Sequence, residues 1–167
     1  RMHPNLYAEG KICVSMLNTW PPNQWSAEYG FETILVTIQG LMTNNPAVHE
    51  PACASYQPDN PWAIEYEVMA RVRAIEAGFI HFMGRKDVHP LLMENAKKYV
   101  ASHPEVYAKV IQCFNKDLIR MGFMTEGGKK TEKEAMLFQC FHAGDFTFTR
   151  KRIRTIISNI EKIVSSQ

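Results

Sequence analysis

A cysteine that stands eight residues after an asparagine is the pair in this chain most suited to chemistry. Cys13 follows Asn5 across a turn that residues 8–10, Ala-Glu-Gly, predict. A thiol with a pKa of about 8.5 is partly thiolate at neutral pH and is intrinsically very nucleophilic, so Cys13 is a candidate catalytic nucleophile. Most free cysteines are instead small apolar core residues. The spacing alone leaves both interpretations open.

The elements that must position Cys13 are predicted as one short β element followed by helices. Ile12, Val14 and Met16 alternate with less apolar residues, which predicts a strand over 11–17. Apolar residues then recur at spacings of three and four, which is typical of helices. We predict a helix over 31–42, a second from the Asn60 cap through Pro61 to Gly84, and a third over 90–101. Two more begin at capping boxes: one runs from Ser102–Glu105 to Gly122, the other from Thr131–Glu134 to Gly144. The last helix has an apolar face of Ile153, Ile156, Ile157, Ile160 and Val164.

The residues around Cys13 form a longer pattern. It consists of the triplet His3-Pro4-Asn5, a glycine at position 10, the pair Ile12-Cys13 and tryptophans at 20 and 25. Residues 33–41 and the stretch from Asn45-Pro46 to Glu50 continue it. In order and spacing the pattern resembles the ubiquitin-conjugating enzymes: the triplet, the catalytic cysteine, the helix after it and the acidic loop beside the active site. The resemblance is strong over residues 2–52 and weaker to about residue 122.

The resemblance implies an activity and partners. Cys13 would accept ubiquitin, or a ubiquitin-like protein, from the ubiquitin-activating enzyme by thioester exchange and pass it to a lysine of a protein substrate. A ubiquitin ligase is the further partner that it implies. The resemblance implies no metal or organic cofactor, since ATP is consumed upstream by the activating enzyme.

The resemblance also implies roles for the neighbours of Cys13. Asn5 can donate to the oxyanion of the tetrahedral intermediate, or it can brace the turn by bonding local backbone. Glu50 aligns with the acidic loop and would orient the incoming lysine and receive its proton, the alternative being a solvated loop acid. We assign His3 and Pro4 to structure, shaping the turn that aims Asn5.

A second loop resembles a surface of the same family. Trp25-Ser26-Ala27 is similar to a Trp-Ser-Pro-Ala loop that ligases bind, with Ala27 in place of the proline. Residues 17–20, Leu-Asn-Thr-Trp, are similar to the subgroup found in very large ligase-conjugating hybrids. We therefore expect Trp25, Ser26 and Ala27 to contact a ligase.

The expected fold is an α+β ubiquitin-conjugating-like fold, of which this chain carries the cysteine-bearing C-terminal part. We expect the family's N-terminal helix and strand meander to precede residue 1, because the sequence starts at the His-Pro-Asn turn. Gly127-Gly128 favours a linker. We therefore divide the chain into the conjugating part, residues 1–122, and a helical extension, residues 123–167.

Composition narrows the possible classes of function. The formal net charge of +2 disfavours a nucleic-acid binder, although residues 150–154 carry four basic side chains. Because the net charge is small, we expect residues 150–154 to form a solvated helix face. We expect no membrane partner, because no run of eighteen apolar residues occurs and no secretory signal is visible. Cysteines at 13, 53, 113 and 140 form no C-x-x-C pair, and Cys140-Phe141-His142 is a poor metal site. Unpaired cysteines and nine methionines favour the cytoplasm or nucleus.

Two other classes of protein compete with the enzyme. One is a non-catalytic interaction module of the ubiquitin pathway that keeps part of the fold and binds partners through its helices. The other is a structural helical subunit whose first fifty residues match the pattern by chance. The joint presence of Cys13, Asn5 and Glu50 favours the enzyme.

Overall fold

A computed structural model of the chain describes residues 3–7, 9–19, 21, 25–43, 45–50, 54–133, 135–140 and 144–167, with the backbone alone at 135–140 and 144–148. The chain divides into two compact units, Arg1–Arg71 and Val72–Gln167. No helix in the described parts of the chain is long and apolar enough to cross a bilayer. The predicted division after residue 122 stays a prediction.

The first unit holds Cys13 and has little regular structure before its first α-helix. Ser15–Leu17 and Pro46–His49 are short 3₁₀-helices, and α1 spans Phe31–Gly40. The strand predicted over 11–17 is wrong: Ile12 makes one isolated bridge to Leu6, and the chain then turns. The reason is local, because the Thr19 side chain takes the backbone hydrogen bonds that a neighbouring strand would supply.

Helix α1 confirms the predicted helix, although its apolar residues are not buried. None of its residues is buried, and Ile34 and Ile38 are half-buried. Phe31, Leu35 and Val36 are exposed. The periodicity therefore predicted the helix correctly.

Helix α2, Pro61–Ile75, begins where the sequence predicts. The Trp62 N–H donates to Asn60 Oδ1 at 2.9 Å, the bond expected of a capping asparagine. The helix continues through a π-helical turn, Glu76–His81, into α3, Phe82–Gly84, so the predicted end at Gly84 is confirmed. Tyr66, Met69 and Val72 are buried, whereas Trp62 is 52% exposed.

The second unit is mainly helical. It contains α4 (Pro90–Ser102), α5 (Pro104–Arg120), β1 (Ala135–Cys140), β2 (Gly144–Thr149) and α6 (Arg150–Ser165). Helices α5 and α6 pack together, and their fully buried apolar side chains are Phe114, Leu118, Ile153 and Ile160. The four isoleucines of the predicted apolar face of α6 are buried as predicted, and Val164 is half-buried.

The capping box predicted at Ser102 is wrong. The cap residue of α5 is His103, and the Ser102 hydroxyl donates to Lys98 O at 2.9 Å, within the end of α4. Pro104 at the first position of α5 starts that helix instead, since its fixed φ suits the first turn.

The helix predicted from Thr131 to Gly144 is also wrong. β1 and β2 form an antiparallel pair whose register runs from Ala135 opposite Thr149 to Cys140 opposite Gly144. The Thr131 hydroxyl donates to Gly122 O at 2.6 Å rather than capping a helix. Aromatic and β-branched residues over 144–149 favour a strand, and pairing outweighs the weak capping pattern. The extension is therefore a hairpin followed by one helix.

The segment interpreted as a linker is a hydrogen-bonded turn. The Thr125 N–H donates to Lys129 O and the Gly128 N–H to Thr125 O, each at 2.9 Å. Gly128 has a φ of 76°, a conformation that glycine adopts readily.

Candidate active site

Cys13 lies in the interior of the first unit with its thiol reduced. The residue is 6% exposed. Its N–H donates to Asn5 O at 2.8 Å, and its Sγ–H donates to Thr19 O at 3.3 Å. The cysteine is therefore held from both sides, by the turn before it and by the loop after it.

Asn5 completes a reciprocal pair of bonds with Cys13. Asn5 Nδ2 donates to Cys13 O at 2.6 Å, so side chain and backbone of Asn5 both bind the cysteine's main chain. This bond fixes the orientation of the amide, because a flipped amide would place two oxygens against each other. Asn5 Oδ1 is buried without a hydrogen-bond partner among the described residues. In this geometry the Asn5 side chain bonds local backbone and so braces the turn, which is one of the two roles considered for it.

Thr19 is a site residue that the sequence analysis missed. Its hydroxyl oxygen lies 2.8 Å from Val14 N, which donates to it, and 2.7 Å and 2.9 Å from the carbonyls of Ile12 and Val14, either of which can accept its proton. The sequence signal that could have indicated it is the asparagine before it, Asn18, which has a φ of 56° in the structure. Asparagine tolerates that left-handed conformation, so a chain reversal after Leu17 could have been predicted.

His3 and Pro4 are both buried beneath the turn that leads to Asn5. His3 Nδ1 accepts a hydrogen bond from the Asn5 N–H at 3.1 Å, so the neutral ring carries its proton on Nε2. Burial, and secondarily the neighbouring His49, lower the pKa of His3 to about 4. His3 is therefore neutral at pH 7 and supports the turn without adding charge.

The acidic loop lies next to this turn. The rings of His49 and His3 have centroids 4.9 Å apart and are tilted by 53°. Glu50 directly follows the 3₁₀-helix that ends at His49, and its N–H donates to Ala47 O at 3.0 Å. Glu50 is 9% exposed, so it is not a solvated loop acid. One chain of contacts thus runs from Cys13 through Asn5 and His3 to the loop that carries Glu50.

The predicted ligase-binding loop is ordered around Trp25. The Trp25 N–H donates to Asn18 Oδ1 at 2.7 Å, and its ring packs edge-on against Tyr29 with centroids 6.0 Å apart. The Tyr29 N–H donates to Ser26 O at 3.0 Å, which closes a turn with Ala27 at its second position. Proline is favoured at that position, but the turn forms without it. Trp25 remains 47% exposed, and Trp20 lies outside the described residues.

The described part of the chain contains no group of three or more His, Cys, Asp or Glu residues that could hold a metal ion. His142 and the side chain of Cys140 lie outside that part. The chain of contacts from Cys13 contains a thiol, the Asn5 side-chain amide and the neutral His3 imidazole, and it leads to the loop that carries the buried side chain of Glu50. These groups suit nucleophilic acyl transfer.

Comparison with known proteins matches the first unit. The family model for "Ubiquitin-conjugating enzyme" matches residues 1–72, which end within one residue of the first compact unit. Ubiquitin-conjugating enzyme E2 Z of Xenopus tropicalis is 45% identical over 51 residues, covering 30% of this chain and 16% of that protein. The human E2 Z is equally similar over 14% of its length.

A relative of the hybrid type is also similar. The human dual E2 ubiquitin-conjugating enzyme/E3 ubiquitin-protein ligase BIRC6 is 41% identical over 56 residues, covering 30% of this chain and 1% of that protein. The predicted resemblance to the family, including the hybrid subgroup, is confirmed. The chain spans less than a fifth of the length of these relatives.

Proposed function

We propose that this chain, whose residues 1–72 belong to the ubiquitin-conjugating enzyme family, forms a thioester with ubiquitin on Cys13 and transfers the ubiquitin to a substrate lysine. The observation that supports it most is the arrangement at Cys13. The family's cysteine and asparagine positions are bonded reciprocally, with the acidic loop joined to them through His3. A core cysteine would not require this polar surrounding.

The first step is an exchange of one thioester for another. The Cys13 thiolate attacks the carbonyl carbon that joins ubiquitin to the activating enzyme's cysteine, a new C–S bond forms, and that cysteine leaves as a thiolate. The Cys13 proton passes to solvent. Little activation is needed, because the incoming acyl group is already a thioester and a thiol is intrinsically nucleophilic. The thiol must turn away from Thr19 O to react, since the residue is 6% exposed.

The second step transfers the acyl group to nitrogen. A free lysine has a pKa of about 10.4, so it must lose a proton before its amine attacks the thioester. The tetrahedral intermediate then expels the Cys13 thiolate and leaves an amide. We propose that Glu50 orients the lysine and receives its proton. Asn5 either donates to the oxyanion or keeps the turn in place for it, and the two roles are compatible because its amide carries two N–H groups.

Partners follow from the same proposal. Ubiquitin or a ubiquitin-like protein, an activating enzyme, a ligase and a protein substrate would each bind the chain, in the cytoplasm or nucleus. Trp25 is the proposed centre of the ligase surface, because a half-exposed tryptophan on an ordered turn is typical of such contacts.

The burial of Cys13 is the observation that favours a second candidate function. A non-catalytic interaction module could keep a buried cysteine for packing and bind partners through exposed apolar residues of α1. This alternative predicts binding to ubiquitin-pathway proteins without any covalent adduct.

The deciding experiment is a thioester-charging assay with the chain, ubiquitin, activating enzyme and ATP, resolved on gels with and without reductant. The chain offers a matched control, because Cys113 is also a free thiol, on α5 in the second unit. We expect a reducible adduct one ubiquitin heavier that Cys13→Ala abolishes and Cys113→Ala retains. Cys13→Ser should give an adduct that resists the reductant, since it is an ester.

The outcomes separate the two candidates. An adduct that survives Cys13→Ala would overturn the assignment of the nucleophile. If neither this chain nor a longer form extended upstream gives an adduct, while the activating enzyme or a ligase still binds, the interaction module is correct. Single-turnover discharge of the adduct to free lysine then tests the role of Asn5. An oxyanion role predicts that Asn5→Ala slows discharge roughly 10²–10³-fold while charging is retained.

A further inference from the structure

The start of helix α6 concentrates positive charge that the proposed transfer chemistry does not use. Arg150, Lys151, Arg152 and Arg154 all fall in its first five residues. The N-terminal end of an α-helix also carries about half a positive charge from its aligned peptide dipoles. The same region of the second unit includes Lys130, beside the turn at Gly128.

These cations differ in whether they have a partner. Arg152 is bound to Glu76 through two bonds of 2.6 Å and 3.0 Å, so its charge is balanced. Lys130, Arg150, Lys151 and Arg154 form no ion pair with the described residues. Arg150 Nη1 is shielded from solvent and also has no hydrogen-bond partner there. Four cations without an acidic partner among the described residues leave positive charge uncompensated here, which favours an anion as their partner.

The four unpaired cations line one cavity. It has a volume of about 720 Å³ and is bounded by Lys130, Arg150, Lys151 and Arg154, together with Thr149 and Met124. Arg154 Nη2 lies 2.9 Å from Met124 Sδ, so this guanidinium contacts another residue that lines the cavity. No acidic residue is among the described lining residues. Cations from α6 and from the turn at Gly128 therefore converge on one concave space.

We propose that this cavity binds a small ligand that carries two or more phosphate groups. Arginine guanidinium groups match phosphate oxygens geometrically, and a helix N-terminus favours the same charge. The volume exceeds what one phosphate needs and lies in the range of small-molecule sites. A concave site of four cations on a chain of net charge +2 favours such a ligand over a nucleic-acid strand, which needs an extended basic surface.

The test is calorimetric titration of the chain with inorganic pyrophosphate, orthophosphate and sulfate at constant ionic strength. We expect pyrophosphate to bind at least tenfold more tightly than orthophosphate or sulfate. Arg150→Gln should weaken pyrophosphate binding roughly tenfold, the effect of losing a charged bond. The matched control is Lys162→Gln, which removes one positive charge from the exposed last turn of the same helix and should change the affinity less than twofold.

The remaining outcomes decide against the site. Equal weakening by Arg150→Gln and Lys162→Gln would show attraction to net charge alone. The same conclusion follows if pyrophosphate and sulfate bind alike. Failure of pyrophosphate to bind at millimolar concentration would rule the site out. A ten-nucleotide single-stranded RNA that binds more tightly than pyrophosphate would indicate a nucleic-acid surface instead. If circular dichroism shows that Arg150→Gln is unfolded, Lys151→Gln replaces it, because Lys151 is exposed and lines the same cavity.

Discussion

The candidate site of the first unit and the helical core of the second are stabilised in different ways. The first holds its candidate site with hydrogen bonds between side chains and backbone, above all those of Asn5 and Thr19 to the segment around Cys13. The second is held by an apolar core between two helices, with Phe114 and Ile153 fully buried. Polar bonds fix direction and apolar contacts supply most of the free energy, so the first unit is suited to positioning a reactive group and the second to stability.

The sharpest way to separate the units is to remove core volume from one of them. Phe114→Ala deletes a fully buried ring on α5 and should lower the free energy of unfolding by about 3–5 kcal/mol. Hydrogen exchange should show faster exchange in α5 and α6 and unchanged protection of the Cys13 amide. Ile119→Ala, on the same helix at a partly exposed position, is the control and should have a small effect. Equal loss of protection in both units would show one cooperative structure.

The corresponding change in the first unit removes a hydroxyl at nearly constant volume. Thr19→Val leaves the Val14 N–H and one backbone carbonyl without their partner, so we expect a loss of about 2–3 kcal/mol and faster exchange of the Val14 amide. Under the proposed function, charging of Cys13 should slow as well. Thr37→Val on α1 is the matched control, because the Thr37 hydroxyl makes no hydrogen bond with the described residues. If both variants behave alike, the Thr19 bonds do not support the site.

Acid should weaken the first unit through His3. Its pKa is about 4 in the folded chain and about 6.5 when unfolded, so the unfolded chain binds the proton first as the pH falls. The stabilisation is fully present above about pH 6.5 and is lost as the pH falls towards 4, which amounts to about 2 kcal/mol at pH 5.

The difference in unfolding free energy between pH 7 and pH 5 should therefore shrink in His3→Asn. An NMR titration of the His3 ring in the unmodified chain gives the pKa directly. A midpoint near the ordinary value for histidine would contradict the burial of this ring.

The smallest expected effect is that of the ion pair in the second unit. Arg152 and Glu76 are partly exposed, so Arg152→Gln should cost no more than about 1 kcal/mol, and less in high salt. A double-mutant cycle with Glu76→Gln measures the coupling. If the coupling energy does not fall with salt, the pair is not screened by solvent and contributes more to the stability of this unit than its exposure implies.

Residues that the motif groups together are in contact in the first unit. Asn5 is bonded to Cys13, and His3 lies against His49, the residue before Glu50. Their assignment as a catalytic site stays a prediction. Thr19 could not be found in this way, because its role depends on the reversal at Asn18 rather than on any motif.

The two errors at predicted capping boxes share one cause. At Ser102 and Thr131 a local capping pattern competed with contacts that sequence spacing does not reveal: a bond into the end of α4, and a bond to Gly122 beside a strand pairing. Where the apolar pattern extended over many residues, as in α2 and α6, it outweighed such competitors and the helices were predicted correctly.

The bond from the Cys13 thiol to Thr19 O exists only while the sulfur carries a hydrogen. A thioester sulfur has none, so under the proposed function each loading event removes this contact and each unloading event restores it. In the form without ubiquitin the Cys13 thiol donates to Thr19 O, and in the loaded form Thr19 O has lost this donor. The covalent state of one atom is thereby transmitted to the backbone six residues away, where a partner able to sense that carbonyl could distinguish loaded from empty molecules.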